Sequence, residues 1–394
     1  MKELLTYIKI IVSGIIVNLT ALLPRKRRMM VFGAWFGQKY DDNSRALFEY
    51  VLKERKDIHA YWITANADVF NKMKSMGLPV YLNTSRKGKW LALRTRYYVS
   101  VVMLEGKDSG SNLSRYMGGV KVINLWHGIP LKKVVYDDEK HPFWKKNLKR
   151  RLIYYFEKIP FRNTYHFATS ETMVEIYKSC FRSDDTHVLN LGQARNDYFY
   201  QSHTNPYKSR FAGKRIILYM PTHRREGKML MNMSQLLDLD KIDDVCKKNN
   251  AVFLIKKHYY HSNEIPLENG VYDSIVEITS EKPSSQILLD AADVLITDYS
   301  SCWIDYLLLD RPILFYCYDI EDYLEFDRDM YFDYKTIVPG KICKEKNMLV
   351  EKIDSILKKE DNYAANRASV RDLFYSKDNQ QPVSKKQIEA ILRL

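Results

Sequence analysis

The chain has 394 residues, 46% of them hydrophobic and 13% aromatic, and a formal net charge of +14. That length suits two domains with a core each, and that much apolar surface excludes a disordered chain. The positive balance favours an anionic partner, whether nucleic acid, an anionic bilayer or phosphorylated substrates.

Residues 4–23, LLTYIKIIVSGIIVNLTALL, are mostly apolar and are followed by Pro24, Arg25, Lys26, Arg27 and Arg28. A cleaved signal peptide carries its positive charge before the apolar run, not after it. A spanning helix needs about 20 apolar residues, and Lys9, Asn18, Thr6, Ser13 and Thr20 weaken that reading. Residues 1–28 are expected to form a monotopic helix in the membrane interface, its basic run on anionic headgroups. An amphipathic helix packed on the domain is the alternative.

From residue 29 the stretch MMVFGAWFGQKYDDNSRALFEYVL reads as a strand, a glycine-containing loop and a helix from about Ser44. Further strands are expected at 59–64, 80–82, 97–102, 121–126, 166–170 and 188–191, with helical patterns between them. Strands alternating with helices indicate a parallel sheet covered on both faces. Residues 141–162, HPFWKKNLKRRLIYYFEKIPFR, interrupt this rhythm with interleaved aromatic and basic residues. Stacking on nucleic acid and lying on a membrane both use that pattern. The apolar N-terminus makes the anionic membrane surface the more economical partner, with no nucleic acid. Residues 201–214 read as a linker. A second alternating set follows at 215–220, 252–256, 275–278, 294–297 and 313–316. The expected fold class is therefore α/β, with Rossmann-like domains over 29–200 and 215–394 and a cleft between them. Cys180, Cys246, Cys302, Cys317 and Cys343 are odd in number and lack metal-ligand spacing. They read as reduced thiols in a cytoplasmic compartment, with no zinc site.

Ligands of open α/β sheets bind beyond the carboxyl ends of the strands. Polar residues follow several of them: His127, Gly128 and Lys132; Asn196 and Asp197; Thr222 and Arg224; Lys256 and His258; and Asp298, Tyr299, Ser300 and Ser301. A helix starting near Ser301 offers free N–H groups and a positive dipole end, and serine hydroxyls extend that anion seat, which a diphosphate fits. The competing reading makes Ser300 or Ser301 a simple helix cap. His127 is the best general base, because imidazole takes a hydroxyl proton near neutral pH; it competes with a satisfied core histidine. Neither GxGxxG nor GxxxxGK[ST] is present, which removes a dinucleotide fingerprint and a Walker loop. No GxSxG or HExxH occurs either. No acidic pair stands at metal-ligand spacing, so no metal is expected to bind tightly.

These stretches together resemble the CDP-glycerol glycerophosphotransferase family of teichoic acid synthesis. The resemblance is carried by NLWHGIPLKK (124–133), GQARND (192–197), YMPTHR (219–224), IKKH (255–258), DAADVLITDYSSCWIDYLLLDRPILFYCYD (290–319) and MYFDY (330–334). It implies a glycosyltransferase B type fold with an interdomain cleft and a CDP-glycerol or CDP-ribitol donor bound mainly by the C-terminal domain. It also implies a lipid-linked glycan acceptor whose hydroxyl attacks the β-phosphate, so that CMP leaves, at the cytoplasmic face of the membrane. By the same resemblance His127 is the base and His258 lies near the donor phosphates. Arg224 matches the arginine of the PT-x-R motif, and Ser300 and Ser301 hold the diphosphate. Asn196 and Asp197 fall in the R-N-D stretch. Two further readings stay open on the residues alone: a sugar-nucleotide glycosyltransferase of the same fold, and a non-enzymatic basic protein of the membrane surface.

Overall fold

The computed structural model describes residues 2–102, 113–140, 163–222, 224, 232–257, 267, 270–327 and 329–394. The expected basic-aromatic insertion at 141–162 and His258 lie outside these residues. The chain divides into two compact units. The first comprises Met1–His127, Val135–Asp197 and Tyr375–Leu394; the second comprises Gly128–Val134 and Tyr198–Phe374.

The first unit holds a seven-stranded parallel sheet in the order β3-β2-β1-β4-β5-β6-β7. Its strands are β1 (Lys26–Phe32), β2 (His59–Thr64), β3 (Val80–Leu82), β4 (Thr95–Ser100), β5 (Lys121–Asn124), β6 (Thr164–Ala168) and β7 (Val188–Asn190). Helix α1 (Lys2–Ala21) precedes the sheet, and α2 (Asp42–Glu54), α3 (Ala67–Ser75) and α4 (Arg86–Arg94) connect its first strands. One face of the sheet buries Phe32, Phe48, Trp62 and Tyr97, and the other buries Met29, Val31, Leu91 and Tyr98. Burial on both faces is what parallel strands require, since crossover helices cover each side.

The second unit repeats the plan with six parallel strands in the order β10-β9-β8-β11-β12-β13. These are β8 (Arg215–Met220), β9 (Ala251–Ile255), β10 (Ile275–Glu277), β11 (Val294–Thr297), β12 (Ile313–Tyr316) and β13 (Lys341–Cys343). Both sheets carry the Rossmann order 3-2-1-4-5-6. The runs RIILYM, AVFLI, VLIT and ILFY are buried almost throughout.

Three features differ from the expectation. Residues 201–214 are not an open linker: Asn205 caps a helix over Pro206–Arg210, and Asn205 and Tyr207 are buried. Asparagine followed by proline is a helix start, with the cap oxygen accepting from the free N–H groups and proline set for the first position. The C-terminus is not part of the second unit, because Ile388 and Ile391 of the helix Ser384–Arg393 complete the core around Leu47 and Val51 of α2. The motif HGIPLKK is divided, with His127 in the first unit and the next seven residues in the second. For the N-terminal segment, no helix among the described residues is long and apolar enough to cross a membrane.

Candidate active site

In the first unit the loops after β1, β4, β5 and β7 share the carboxyl edge of the sheet. His127, two residues beyond Leu125, is half-buried there. Its Nδ1 lies 3.0 Å from the carbonyl oxygen of Val101. A carbonyl only accepts, so Nδ1 carries the proton and Nε2 keeps its lone pair. The ring is wedged between Trp35, at 4.9 Å between centroids, and Trp126, at 4.3 Å. Burial holds its pKa below the usual 6.5, against opposing pulls from the Val101 carbonyl and Asp42. The imidazole is thus neutral at pH 7, the form a general base needs.

The loop carrying His127 is clamped from three sides. Asn124 accepts from the Trp126 N–H at 3.0 Å, and its amide nitrogen lies 3.0 Å from Nδ1 of His166 on β6. The fully buried Asn43 donates to the Trp126 carbonyl at 3.0 Å and accepts from the Arg195 N–H at 3.0 Å. Arg195 in turn donates to the His127 carbonyl and to Asp42, both at 2.9 Å. Trp35, Phe36, Asp42 and Trp126 all have positive φ, between 48° and 69°. Such conformations cost of order 1–3 kcal/mol each for non-glycine residues and persist where surrounding contacts over-determine them, commonly at functional sites.

Asn196 and Asp197 do not join this group. Asn196 is buried and donates to the Tyr375 hydroxyl at 3.0 Å. Asp197 accepts from the N–H groups of Val383 and Ser384 at 2.7 and 2.9 Å, capping the C-terminal helix. Both carboxylate oxygens are committed to backbone, so the geometry gives this pair an architectural role where a substrate contact was expected.

In the second unit β9, β8, β11 and β12 are neighbours, and the residues following them gather at one edge. Asp298 is completely buried. It accepts from the Thr222 N–H and from Arg224 Nη2, both at 2.8 Å. Arg224 also reaches Asp319 at 2.6 Å and the Thr222 carbonyl at 2.6 Å. Burial alone would lower the Arg224 pKa; Asp298 and Asp319 more than reverse it, and the guanidinium stays charged. Tyr299 donates to Asp319 at 3.0 Å and stacks on Tyr323 at 3.7 Å between centroids. Lys132 reaches the same cluster, with its Nζ bonded to the Tyr323 hydroxyl. Its backbone pairs with Met330, and Gly128 beside it in sequence is buried. Arg224, Asp298 and Tyr299 are therefore a buried frame that fixes the strand ends rather than groups extended toward solvent.

Ser300 and Ser301 follow this frame and are partly exposed. The helix after them covers only Cys302–Tyr306 before a 3-10 turn at Leu307–Leu309. Ser300 Oγ accepts from the Cys302 N–H at 3.4 Å, whereas Ser301 makes no side-chain cap bond. So short a helix has a small dipole; the anion seat rests on hydroxyls and first-turn N–H groups more than on the dipole. Thr222 Oγ1 and the Tyr318 hydroxyl are buried with no partner among the described residues, which leaves their bonding capacity to a ligand. Lys256 is half-buried, its N–H bonded to the Tyr219 carbonyl, while Lys257 is buried against Glu277 at 3.3 Å. Ile320, next to Asp319, lines a cavity of about 420 Å³ with Lys335, Ile342, Lys344, Glu345 and Met348.

Sequence reasoning missed Trp35, Asp42, Asn43 and Arg195. The rule that found the other positions, polar residues after a strand, applies equally to the loop after β1 and would have flagged the Asp-Asp-Asn run there. Tyr318 carried the same signal, two residues beyond the end of β12.

The family model for CDP-Glycerol:Poly(glycerophosphate) glycerophosphotransferase matches residues 15–392. The teichoic acid poly(glycerol phosphate) polymerase of Bacillus spizizenii is 30% identical over 372 residues, 89% of this chain and 90% of that protein. The teichoic acid ribitol-phosphate primase of the same organism is 28% identical over 377 residues, 89% of each. Among solved structures, the wall teichoic acid polymerase TagF superposes with a TM-score of 0.77 at 24% identity, covering 100% of this chain and 97% of that one. At that identity the superposition speaks for the fold alone.

Proposed function

The chain belongs to the CDP-glycerol:poly(glycerophosphate) glycerophosphotransferase family, and from that premise we propose that it moves glycerol phosphate from CDP-glycerol to a hydroxyl of a lipid-linked glycan, with His127 as the general base. The acceptor oxygen attacks the β-phosphorus. A new phosphorus–oxygen bond forms as the bond to the bridging oxygen breaks, CMP departs with that electron pair, and Nε2 of His127 receives the hydroxyl proton. Thr222, Ser300, Ser301 and the first-turn N–H groups seat the diphosphate, and Lys256 and Lys132 add positive charge. Arg224, Asp298 and Tyr299 hold that seat in place. Placing fixed donors where charge develops is the main lever a protein has in phosphoryl transfer. His258 keeps the role the family resemblance gives it, near the donor phosphates. The fold reading extends to the glycosyltransferase B class, and the reaction is placed at the cytoplasmic face of the membrane, where a lipid-linked acceptor resides.

The observation that carries this reading is the tautomer of His127. A histidine pinned through Nδ1, depressed in pKa and wedged between two tryptophans is prepared to accept a proton, not to fill a core. The test is CMP release from CDP-glycerol with a lipid-linked aminosugar disaccharide, alongside CDP-ribitol and UDP-sugars, with His127→Ala as control. Acceptor-dependent release lost in the variant supports the proposal. Turnover of CDP-ribitol alone moves the donor to ribitol, and turnover of a UDP-sugar alone defeats it.

A further inference from the structure

Helix α1 is apolar on two faces. Gly14, Val17 and Thr20 lie buried on one side. A Cβ on Gly118 would stand 1.9 Å from the Val17 carbonyl oxygen, so only glycine admits this approach of helix to loop. The opposite side repeats large apolar residues at helical spacing, with Ile8, Ile11, Ile15, Leu19 and Leu22 between 47% and 82% exposed. A helix that merely packs on its domain turns a polar face outward. Contiguous exposed apolar surface marks an interaction site.

Helix α4, RKGKWLALR, is the second observation. Trp90 is 40% exposed, with Lys26 Nζ 5.3 Å and Lys87 Nζ 4.5 Å from its ring centroid. Arg86, Lys87 and Lys89 are exposed around it. Among the described residues, none of Lys26, Arg86, Lys87 and Lys89 has an acidic partner in an ion pair. One side chain joins the two helices. Arg25 donates to the Thr20 carbonyl at the end of α1 at 2.8 Å, and to the Ala92 and Leu93 carbonyls of α4 at 2.8 and 2.6 Å. It also donates to the Gly118 carbonyl. The apolar stripe and the basic, tryptophan-bearing helix are held as one rigid piece.

We propose that α1 and α4 form a single membrane-docking face whose occupant is a bilayer with anionic headgroups. The outward stripe of α1 enters the headgroup–acyl boundary. Trp90 sits at headgroup level, where an amphipathic ring is favoured, and Lys26, Arg86, Lys87 and Lys89 neutralise lipid phosphates. The choice of a bilayer over a second copy of the chain rests on charge: a like copy would bring these cations against each other. The proposal deepens the membrane location given to the reaction above, and its test uses neither donor nor acceptor, so a failed transferase reading leaves it intact.

The full chain is sedimented with vesicles of phosphatidylcholine alone and of phosphatidylcholine mixed with phosphatidylglycerol. Binding to the mixed vesicles is expected, with Lys87→Gln plus Lys89→Gln weakening it roughly thirtyfold, since each cation near the surface contributes about a fivefold factor. Both lysines are exposed, so this variant tests the surface without touching the core. Ile15→Asn plus Leu19→Asn is expected to remove the binding that survives high salt, and Trp90→Phe to reduce quenching of tryptophan emission by brominated acyl chains. Partitioning unchanged in both double variants overturns the proposal. So does self-association in lipid-free buffer that Ile15→Asn plus Leu19→Asn abolishes, which would assign the face to a second copy.

Discussion

His127 has one ring nitrogen committed to the Val101 carbonyl, and that contact dictates a pH profile. The base form is required, so activity persists above its pKa and is lost as pH falls through it. Burial sets that pKa below 6.5, and kcat/KM should fall on the acid side with a midpoint under that value. Asp42 pulls the pKa upward, while Arg195 pulls it down. Asp42→Asn should therefore move the acid limb lower still, because it removes the upward pull and leaves Arg195 unbalanced. An acid limb above 6.5, or one raised by Asp42→Asn, would remove His127 from the role of base. His127→Ala should cost about 10²–10⁴ in kcat. Arg224 calls for a different measurement. Its guanidinium serves Asp298, Asp319 and the Thr222 carbonyl at once, and a lysine cannot reproduce that fork. Arg224→Lys leaves the fully buried Asp298 poorly paired and should destabilise the chain by about 3–5 kcal/mol in urea unfolding. A loss under about 1 kcal/mol would show that the frame tolerates a point charge.

Among the elements, the C-terminal helix separates architecture from substrate binding. Asp197 gives both oxygens to the backbone at the start of Ser384–Arg393. Asp197→Ala should cost about 1–2 kcal/mol, as loss of a helix cap does. It should expose the last residues to protease while leaving KM for CDP-glycerol unchanged. A raised KM at undiminished stability would return Asp197 to the substrate. This helix also shows what could be read from sequence. Runs such as VFLI and VLIT announce strands by composition, because a strand buried on both faces needs little else. β13 was not legible, since KIC is three residues between lysines. It forms because Gly340 lets the chain pass the Ile313 carbonyl, where a Cβ would stand at 2.2 Å. The candidate site was legible where a polar residue follows a strand, as at His127 and Asp298. It was not legible where partners come from far along the chain. Asn43 reaches Trp126 across 83 positions and Asp197 reaches Val383 across 186, and no local pattern encodes either.

For the molecule as a whole, the interleaving of chain segments predicts which pieces can fold. The first unit is assembled from three segments, the last of them Tyr375–Leu394. A fragment of residues 1–200 contains the whole first sheet yet lacks Ile388 and Ile391, which are fully buried beside Leu47 and Val51. Each such side chain contributes about 1.5–3 kcal/mol by burial. Without them the fragment exposes an apolar groove along α2 and leaves Asp197 buried beside no helix terminus. A domain of this size holds only about 5–15 kcal/mol of stability in total, so losing two core residues and a cap removes much of it. Residues 1–200 alone should show no cooperative thermal transition by circular dichroism. The same fragment joined to 375–394 through a flexible linker should regain one. The decisive comparison is the linked fragment against the same fragment carrying Ile388→Asn and Ile391→Asn. If all three melt alike, the C-terminal helix is an appendage and the boundary near residue 200 is the true end of the first domain. If only the intact linked fragment melts cooperatively, the second unit is an insertion within the first, and no single cut of the chain separates them.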